Sequence, residues 1–403
     1  MHLTFRSLSE ERPSDALRRV FANGWPGWSQ WMRERQKGDT PRLRDARRAM
    51  RRHMPELESL WDNWTDVCGG GDDAALFLSF WSPPRYLVHC SQAVMVDNDG
   101  PLLIRNYDLD PKLNESTIYS TRWRSRRVAG MVEGIVGLAD GMNDAGLAAS
   151  LTFGGRVVHG PGFGIPLIMR YVLEMCSDMK QAVEALRAVP SHMAYNVTVA
   201  DRSGEWATVY LSPDRPPILS QRPYATNHQL GVEWPRHGRM SNTLGRARHL
   251  EQLLRVSSLS ADRMTREFLS EPLFSTGYAR GFGTVYTASY RPAMGKLELF
   301  WKDGTRLDWS LDDVDERQVQ IAYSARGSRG APQPEYSDGR QTLVSGTQRH
   351  QRHGRIALPP AEAADWRQFV KSTLDLVAKG AYGSEFARLA QFWCPARKPR
   401  NVD

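Results

Sequence analysis

An α+β sandwich is the fold class this 403-residue sequence predicts, and three observations predict it. Across residues 86–107 the chain alternates as strands around a turn signal, Asp97-Asn98-Asp99-Gly100. Further strand-like runs continue to Trp301, interleaved with two blocks of helical periodicity. An apolar share of 41% with 10% aromatics is that of a chain that folds around a core, which excludes general disorder.

In chain order, residues 1 to about 80 read as helical. Ser14-Asp15 supplies an N-cap, apolar positions recur at helical spacing, and Gly69-Gly70-Gly71 breaks the pattern. Inside this stretch residues 42–52 are densely basic, with Leu43, Ala46, Met50 and then Met54 on one side. Tyr86-Leu87-Val88 and Ala93-Val94-Met95-Val96 read as strand, and Leu102-Leu103-Ile104 returns after the turn. Strands are expected at 146–153, 195–200, 206–211, 285–290 and 296–301, and helices near 166–176, 179–189, 244–256 and 261–269. Four segments result: 1–89, helical and a candidate propeptide; 90–324, the core; 325–357, a linker or long loop rich in Gly, Ser, Gln, Arg and Pro; and 358–403, a C-terminal helix. That last helix carries Trp366, Phe369, Val370, Leu374 and Val377 on one stripe before Gly380.

A formal charge of +8 suits nucleic acid, anionic lipid or acidic ligands, yet no zinc finger, RNP-like aromatic motif or helix-turn-helix accompanies it. The basic stretch therefore reads as a solvated helix face, and nucleic acid is not an expected partner. With no run of about 20 apolar residues and a polar start, neither a membrane span nor an export signal is expected. Cys68, Cys90, Cys176 and Cys394 are scattered without a CxxC pair, against a disulfide framework or a zinc site, so reduced thiols in a cytoplasm fit. His350 and His353 fall in the linker, and the reading calls for no metal and no cofactor.

The chemistry starts at the hairpin. A tight turn pairs residues whose numbers sum to about 197 to 199, setting Cys90 opposite about 107 to 109 and bringing Arg105 and Asp108 near the thiol. A guanidinium favours the reactive thiolate, and a carboxylate can hold an ammonium or a base in position. On an ideal strand Arg105 and Asp108 face opposite sides, so a bulge or a strand ending at Tyr107 is expected if both meet the sulfur. Plainer alternatives stand beside this: Cys90 as a small buried strand residue, Arg105 with Asp108 as an ion pair, Asn227 as a turn cap.

His89-Cys90-Ser91, then strand, turn, strand and Arg105-Asn106-Tyr107-Asp108, resembles the start of the mature chain in N-terminal-nucleophile (Ntn) hydrolases of the penicillin acyltransferase (acyl-CoA:6-aminopenicillanic acid acyltransferase) and choloylglycine hydrolase type. Five later segments match in order. They are Asp140-Gly141-Met142-Asn143-Asp144-Ala145-Gly146-Leu147-Ala148; Tyr195-Asn196-Val197-Thr198-Val199-Ala200-Asp201; Thr226-Asn227-His228; Ser241-Asn242-Thr243-Leu244-Gly245-Arg246; and Gly283-Thr284-Val285-Tyr286-Thr287. The resemblance spans roughly residues 60 to 305.

The resemblance implies an αββα sandwich and self-cleavage before Cys90, which becomes the nucleophile with its freed α-amine as base. It implies that Arg105 polarises the thiol, Asp108 orients the amine, and Asn227 donates to the oxyanion. Thr152 stands near a second oxyanion position, and Arg246, with Arg248 as rival, is the late active-site arginine. The implied reaction is hydrolysis of a linear amide in a small-molecule substrate, or acyl transfer to an amine. The cleaved N-terminal segment is the other implied partner. Where the family carries glycine before the nucleophile this chain has His89, whose bulk could hinder cleavage or whose imidazole could assist it. The contrasting alternative is an uncleaved, non-catalytic member that binds through its basic helices. Phe77, Phe80, Trp81, Tyr107, Phe153 and Phe163 flank the site in sequence and suit an apolar or aromatic acyl group, or simply the core.

Overall fold

Period-2 alternation builds the centre of this chain. The computed structural model describes residues 1–35, 41–86, 89–278 and 281–323. The chain opens with β1 (His2–Glu10), α1 (Asp15–Arg35), α2 (Leu43–His53), α3 (Glu58–Cys68) and α4 (Gly71–Leu78). A hairpin of β2 (His89–Asp97) and β3 (Gly100–Leu109) leads into β4 (Thr117–Thr121), β5 (Val128–Glu133), β6 (Gly137–Asn143) and β7 (Leu147–Phe153). Next come α5 (Ile165–Met175), α6 (Met179–Ala188), β8 (Tyr195–Asp201), β9 (Trp206–Leu211), β10 (Ile218–Ser220) and β11 (Tyr224–Ala225). Then α7 (Pro235–Met240), α8 (Thr243–Leu254) and α9 (Ala261–Phe268) precede β12 (Thr276–Gly277), β13 (Phe282–Arg291), β14 (Lys296–Phe300), β15 (Arg306–Ser310) and β16 (Gln318–Ala322).

The strands form two sheets. One runs β10-β9-β8-β7-β6-β5-β4-β1-β16, antiparallel except where β1 lies parallel to β4. The other runs β11-β2-β3-β13-β14-β15, with β12 beside β13. Helices α5 and α6 cover the outer face of the first sheet, α8 and α9 that of the second, and β2 and β3 face β7 and β8 across the middle. The layers are thus helix, sheet, sheet, helix, the α+β sandwich expected from the sequence. Among the described residues no helix is long and apolar enough to cross a membrane.

The hairpin pairs with a sum of 197, placing Cys90 opposite Tyr107 and His89 opposite Asp108. Cys90, Val94, Leu103, Tyr107 and Leu109 point into the core between the sheets. Ala93, Met95, Leu102 and Ile104 point the other way, into a second core under α8 and α9. Both faces are buried, so the period-2 rule sorts each hairpin residue into one of two interiors.

Three expectations need correcting. Residues 1 to 80 are not helical throughout, because β1 fills a slot between β4 and β16. Its alternation was hidden by a polar residue at a buried position, Ser7, whose hydroxyl donates to the Asp315 carbonyl. Tyr86 lies outside the strand read there, which begins at His89, and Leu87 and Val88 fall outside the described residues. Strand β3 neither ends at Tyr107 nor bulges against β2, so Arg105 and Asp108 do part to opposite faces. The other expected helices of the core stand close to the predicted bounds, and the break at Gly69–Gly71 separates α3 from α4. The linker at 325–357 and the helix at 358–403 lie outside the described residues.

Candidate active site

Cys90 is fully buried near the start of β2, with its sulfur on the inner face of the hairpin. Two residues along β3 on the same face as Tyr107, Arg105 reaches that sulfur, Nη2 to Sγ 3.1 Å. Its other arm donates to the Ala139 carbonyl at 2.9 Å and pairs with the Asp140 carboxylate on β6. Asp140 also accepts from the hydroxyls of Tyr286, at 2.7 Å, and Tyr290, both on β13. Arg105 stacks over the Tyr107 ring at 4.5 Å, which is itself stacked on Tyr286. A buried guanidinium needs such a cage, because an unpaired charge at this depth is prohibitively costly. Burial pushes the Cys90 thiol up to about 11, and the Arg105 charge pulls it part of the way back.

The outer face carries a second constellation. Arg246 on α8 donates from Nη1 to the Cys90 carbonyl at 2.6 Å and to Ser91 Oγ at 2.8 Å, and from Nη2 to Asn227 Oδ1 at 2.6 Å. Asp108 lies 3.6 Å from the same guanidinium and accepts from Thr284 Oγ1 at 2.7 Å. Burial raises the Asp108 carboxyl to about 6 although Arg246 works against it. The backbone N–H of Cys90 donates to Asn227 Oδ1 at 3.2 Å, while Asn227 Nδ2 donates to the Phe153 carbonyl at 3.1 Å. Glycine is required nearby: a Cβ on Gly155, at φ +68°, would sit 2.2 Å from the Asn227 carbonyl oxygen.

Five of the residues singled out from the sequence, Cys90, Arg105, Asp108, Asn227 and Arg246, are therefore brought together around one peptide unit. Thr152 stands one layer back, its hydroxyl donating to the Thr226 carbonyl at 3.0 Å and accepting from Asn196 Nδ2 at 3.0 Å, so it braces the turn that carries Asn227. Arg248 is not part of the group; its Nε turns back to Leu244 on its own helix. His89 is buried, its ring stacked on Phe282 at 4.4 Å and edge-on to His237 at 4.7 Å. Burial drives both imidazoles to the neutral form, with His237 at about 3. Asp140 is the partner that sequence reasoning left without a role. Its signal was an acidic residue in a matched motif of otherwise small and apolar neighbours. Among the described residues no His, Cys, Asp or Glu cluster is arranged to hold a metal.

Solved structures similar to this chain include a mutant conjugated bile acid hydrolase from Clostridium perfringens, 13% identical, TM-score 0.42, covering 60% of this chain and 100% of that one. Penicillin V acylase from Agrobacterium tumefaciens is 13% identical, TM-score 0.40, over 55% of this chain and 86% of that one. The Caenorhabditis elegans ortholog of N-acylethanolamine-hydrolyzing acid amidase is 15% identical, TM-score 0.36, over 51% and 93%. No curated protein matches the sequence. The family model for acyl-coenzyme A:6-aminopenicillanic acid acyl-transferase matches residues 95–306, more than half of the 403, and the chain belongs to that family of enzymes acting on amide bonds.

Proposed function

We propose that this chain is a cysteine N-terminal-nucleophile hydrolase that cuts itself before Cys90 and then cleaves a linear amide through an acyl-enzyme on that cysteine. The observation that carries the reading is the pairing of Cys90 Sγ with Arg105 at 3.1 Å on one side and of the Cys90 nitrogen with Asn227 at 3.2 Å on the other. In the first step the thiol adds to the His89 carbonyl carbon, the C–N bond breaks, and the leaving nitrogen takes up the thiol proton to become the new α-amine. Water then hydrolyses the thioester, leaving a carboxylate on His89 and a free thiol on Cys90.

In turnover the α-amine, ordinarily near pKa 7.7 to 8, takes the thiol proton. Sulfur attacks the substrate carbonyl, the amine product leaves with a proton returned by the α-ammonium, and water releases the acid. Arg105 stabilises the thiolate, a task made necessary by the burial that holds the thiol up. Arg246 holds the Cys90 carbonyl, Asp108 beside it orients the freed amine, and Asn227, released from the peptide N–H once the chain is cut, turns a donor to the oxyanion. Thr152 keeps Asn227 in place. Resolution by an amine in place of water makes the same acyl-enzyme a transferase, a reading that the matched family's acyl-transferase description favours.

Mass spectrometry of the purified protein is the test. Two fragments are expected, the larger beginning at Cys90, and both should co-elute, because β1 is hydrogen-bonded into the first sheet on both edges. A wild-type chain that stays whole while a panel of N-acyl amides, penicillin V and conjugated bile salts goes untouched would overturn the proposal in favour of a binding role.

A further inference from the structure

Between α1, α4 and the turn after β5 lies a narrow, partly open cleft, walled by Trp28, Trp31, Phe77, Trp81 and Tyr86 and closed by Glu133. Glu133 is 8% exposed, and its Oε2 has no hydrogen-bond partner among the described residues. The charges acting on it do not balance: Arg105 is the cation, against the carboxylates of Glu115 and Asp140. Arg105 is already committed to Asp140 and to the Cys90 sulfur. Glu115 is spent on Trp28 Nε1 and on the N–H groups of Gly134 and Ile135, which clamps the turn in its positive-φ conformation. A Cβ at Gly134 would strike the Phe80 ring, so the turn is packed hard against the cleft wall. A buried acid lacking a counter-charge, set among aromatic faces, is the chemistry that binds an organic cation.

We propose that this cleft binds an arylalkyl ammonium group, the amine-bearing end of the substrate. The acid of the cleft is linked electrostatically to the reacting sulfur. Tyr107, across the hairpin from Cys90, interacts with Glu133, and the Glu133 charge raises the Cys90 thiol. As a subsite the cleft rests on the amidase reading; as a binding site it does not. The walls named come from residues that precede Cys90, so the cut enzyme needs its N-terminal segment for recognition.

The test is calorimetric titration of the full chain, wild type and Cys90→Ala alike, with phenethylamine, phenethyl alcohol and phenylacetate. Phenethylamine should bind about tenfold tighter than the alcohol, with phenylacetate weakest. Glu133→Gln should erase that order, and Trp81→Ala should weaken all three ligands. Should Glu133→Gln fail to fold, the wild type supplies the check. Burial sets Glu133 at about 7, with Arg105, Glu115, Tyr107 and Asp140 acting on it, so the preference for the amine should fade as pH drops below 7. Equal binding of amine and alcohol at pH 8, or a preference that survives Glu133→Gln, overturns the inference. If the preference stands in Cys90→Ala while no amide is cleaved by the wild type, the amidase reading fails alone.

Discussion

The two faces of the β2–β3 hairpin are built from alternate residues of the same strands and solve opposite problems. On the inner face Cys90, Arg105 and Asp140 form a charged chain between two sheets, shut off from water by Tyr107, Tyr286 and Tyr290. On the outer face Arg246 of α8 and Asn227 grip backbone atoms of Cys90 rather than its sulfur, while Ser91 and Asp108 hold the Arg246 guanidinium. The inner set thus tunes the reactivity of one atom, and the outer set fixes where that atom and its nitrogen stand. Side-chain alternation allows one residue to be served by both, because its sulfur points one way while its peptide group remains in the sheet plane.

Breaking the inner face should have the larger effects. Cys90→Ala should leave the chain uncut and without amidase activity, read by intact mass and by substrate turnover, with little loss of stability. Any cut product at residue 89 in that variant would remove sulfur from the mechanism. Arg105→Ala strands the Asp140 carboxylate in the interior, and urea denaturation should register a loss of about 3 to 5 kcal/mol. If Arg105→Ala costs less than about 1 kcal/mol, the inner face is not the closed ionic interior described.

The outer face should respond more gently, and with a pH signature. The folded carboxyl of Asp108 sits at about 6 against an ordinary 3.8, so between these values the native state binds more protons than the unfolded chain. Stability contributed by this group is therefore present at low pH and lost as pH rises from about 4 to about 6. Asp108→Asn should flatten that part of the stability profile, measured by thermal midpoints across the window, while slowing self-cleavage. An unchanged slope would mean that Arg246 neutralises the acid completely. The smallest effect is expected at Thr152→Val, about 1 kcal/mol, since Asn196 Nδ2 keeps its bonds to the Thr226 and His228 carbonyls when the hydroxyl is lost.

Much of this comparison was legible before any coordinates. Asp97-Asn98-Asp99-Gly100 is a turn whose chemistry sets the register, and the register sets Cys90 against Tyr107 and brings Arg105 to its side. The parity conflict between Arg105 and Asp108 was visible too, but neither of the two expected resolutions, a bulge or a strand ending at Tyr107, occurs against β2. A second buried interior under α8 and α9 receives Asp108, and nothing in a strand's own pattern says that both of its faces are covered. His89 is plain in the sequence, while its packing against Phe282 and His237 is not.

By itself the sequence determined the elements whose signals are local: the hairpin and its turn, the helices read near 166–176, 179–189, 244–256 and 261–269 and found within two residues of those bounds, and the order of motifs that marks the family. Only the tertiary structure decided that Asp140 is the counter-ion of Arg105, that β1 completes a sheet, and that Glu133 closes an aromatic cleft built from the residues before Cys90. The physical reason is range. Turn chemistry and periodicity act over a few residues, whereas the partner of a buried charge is chosen by which distant strands the packing of two sheets brings face to face.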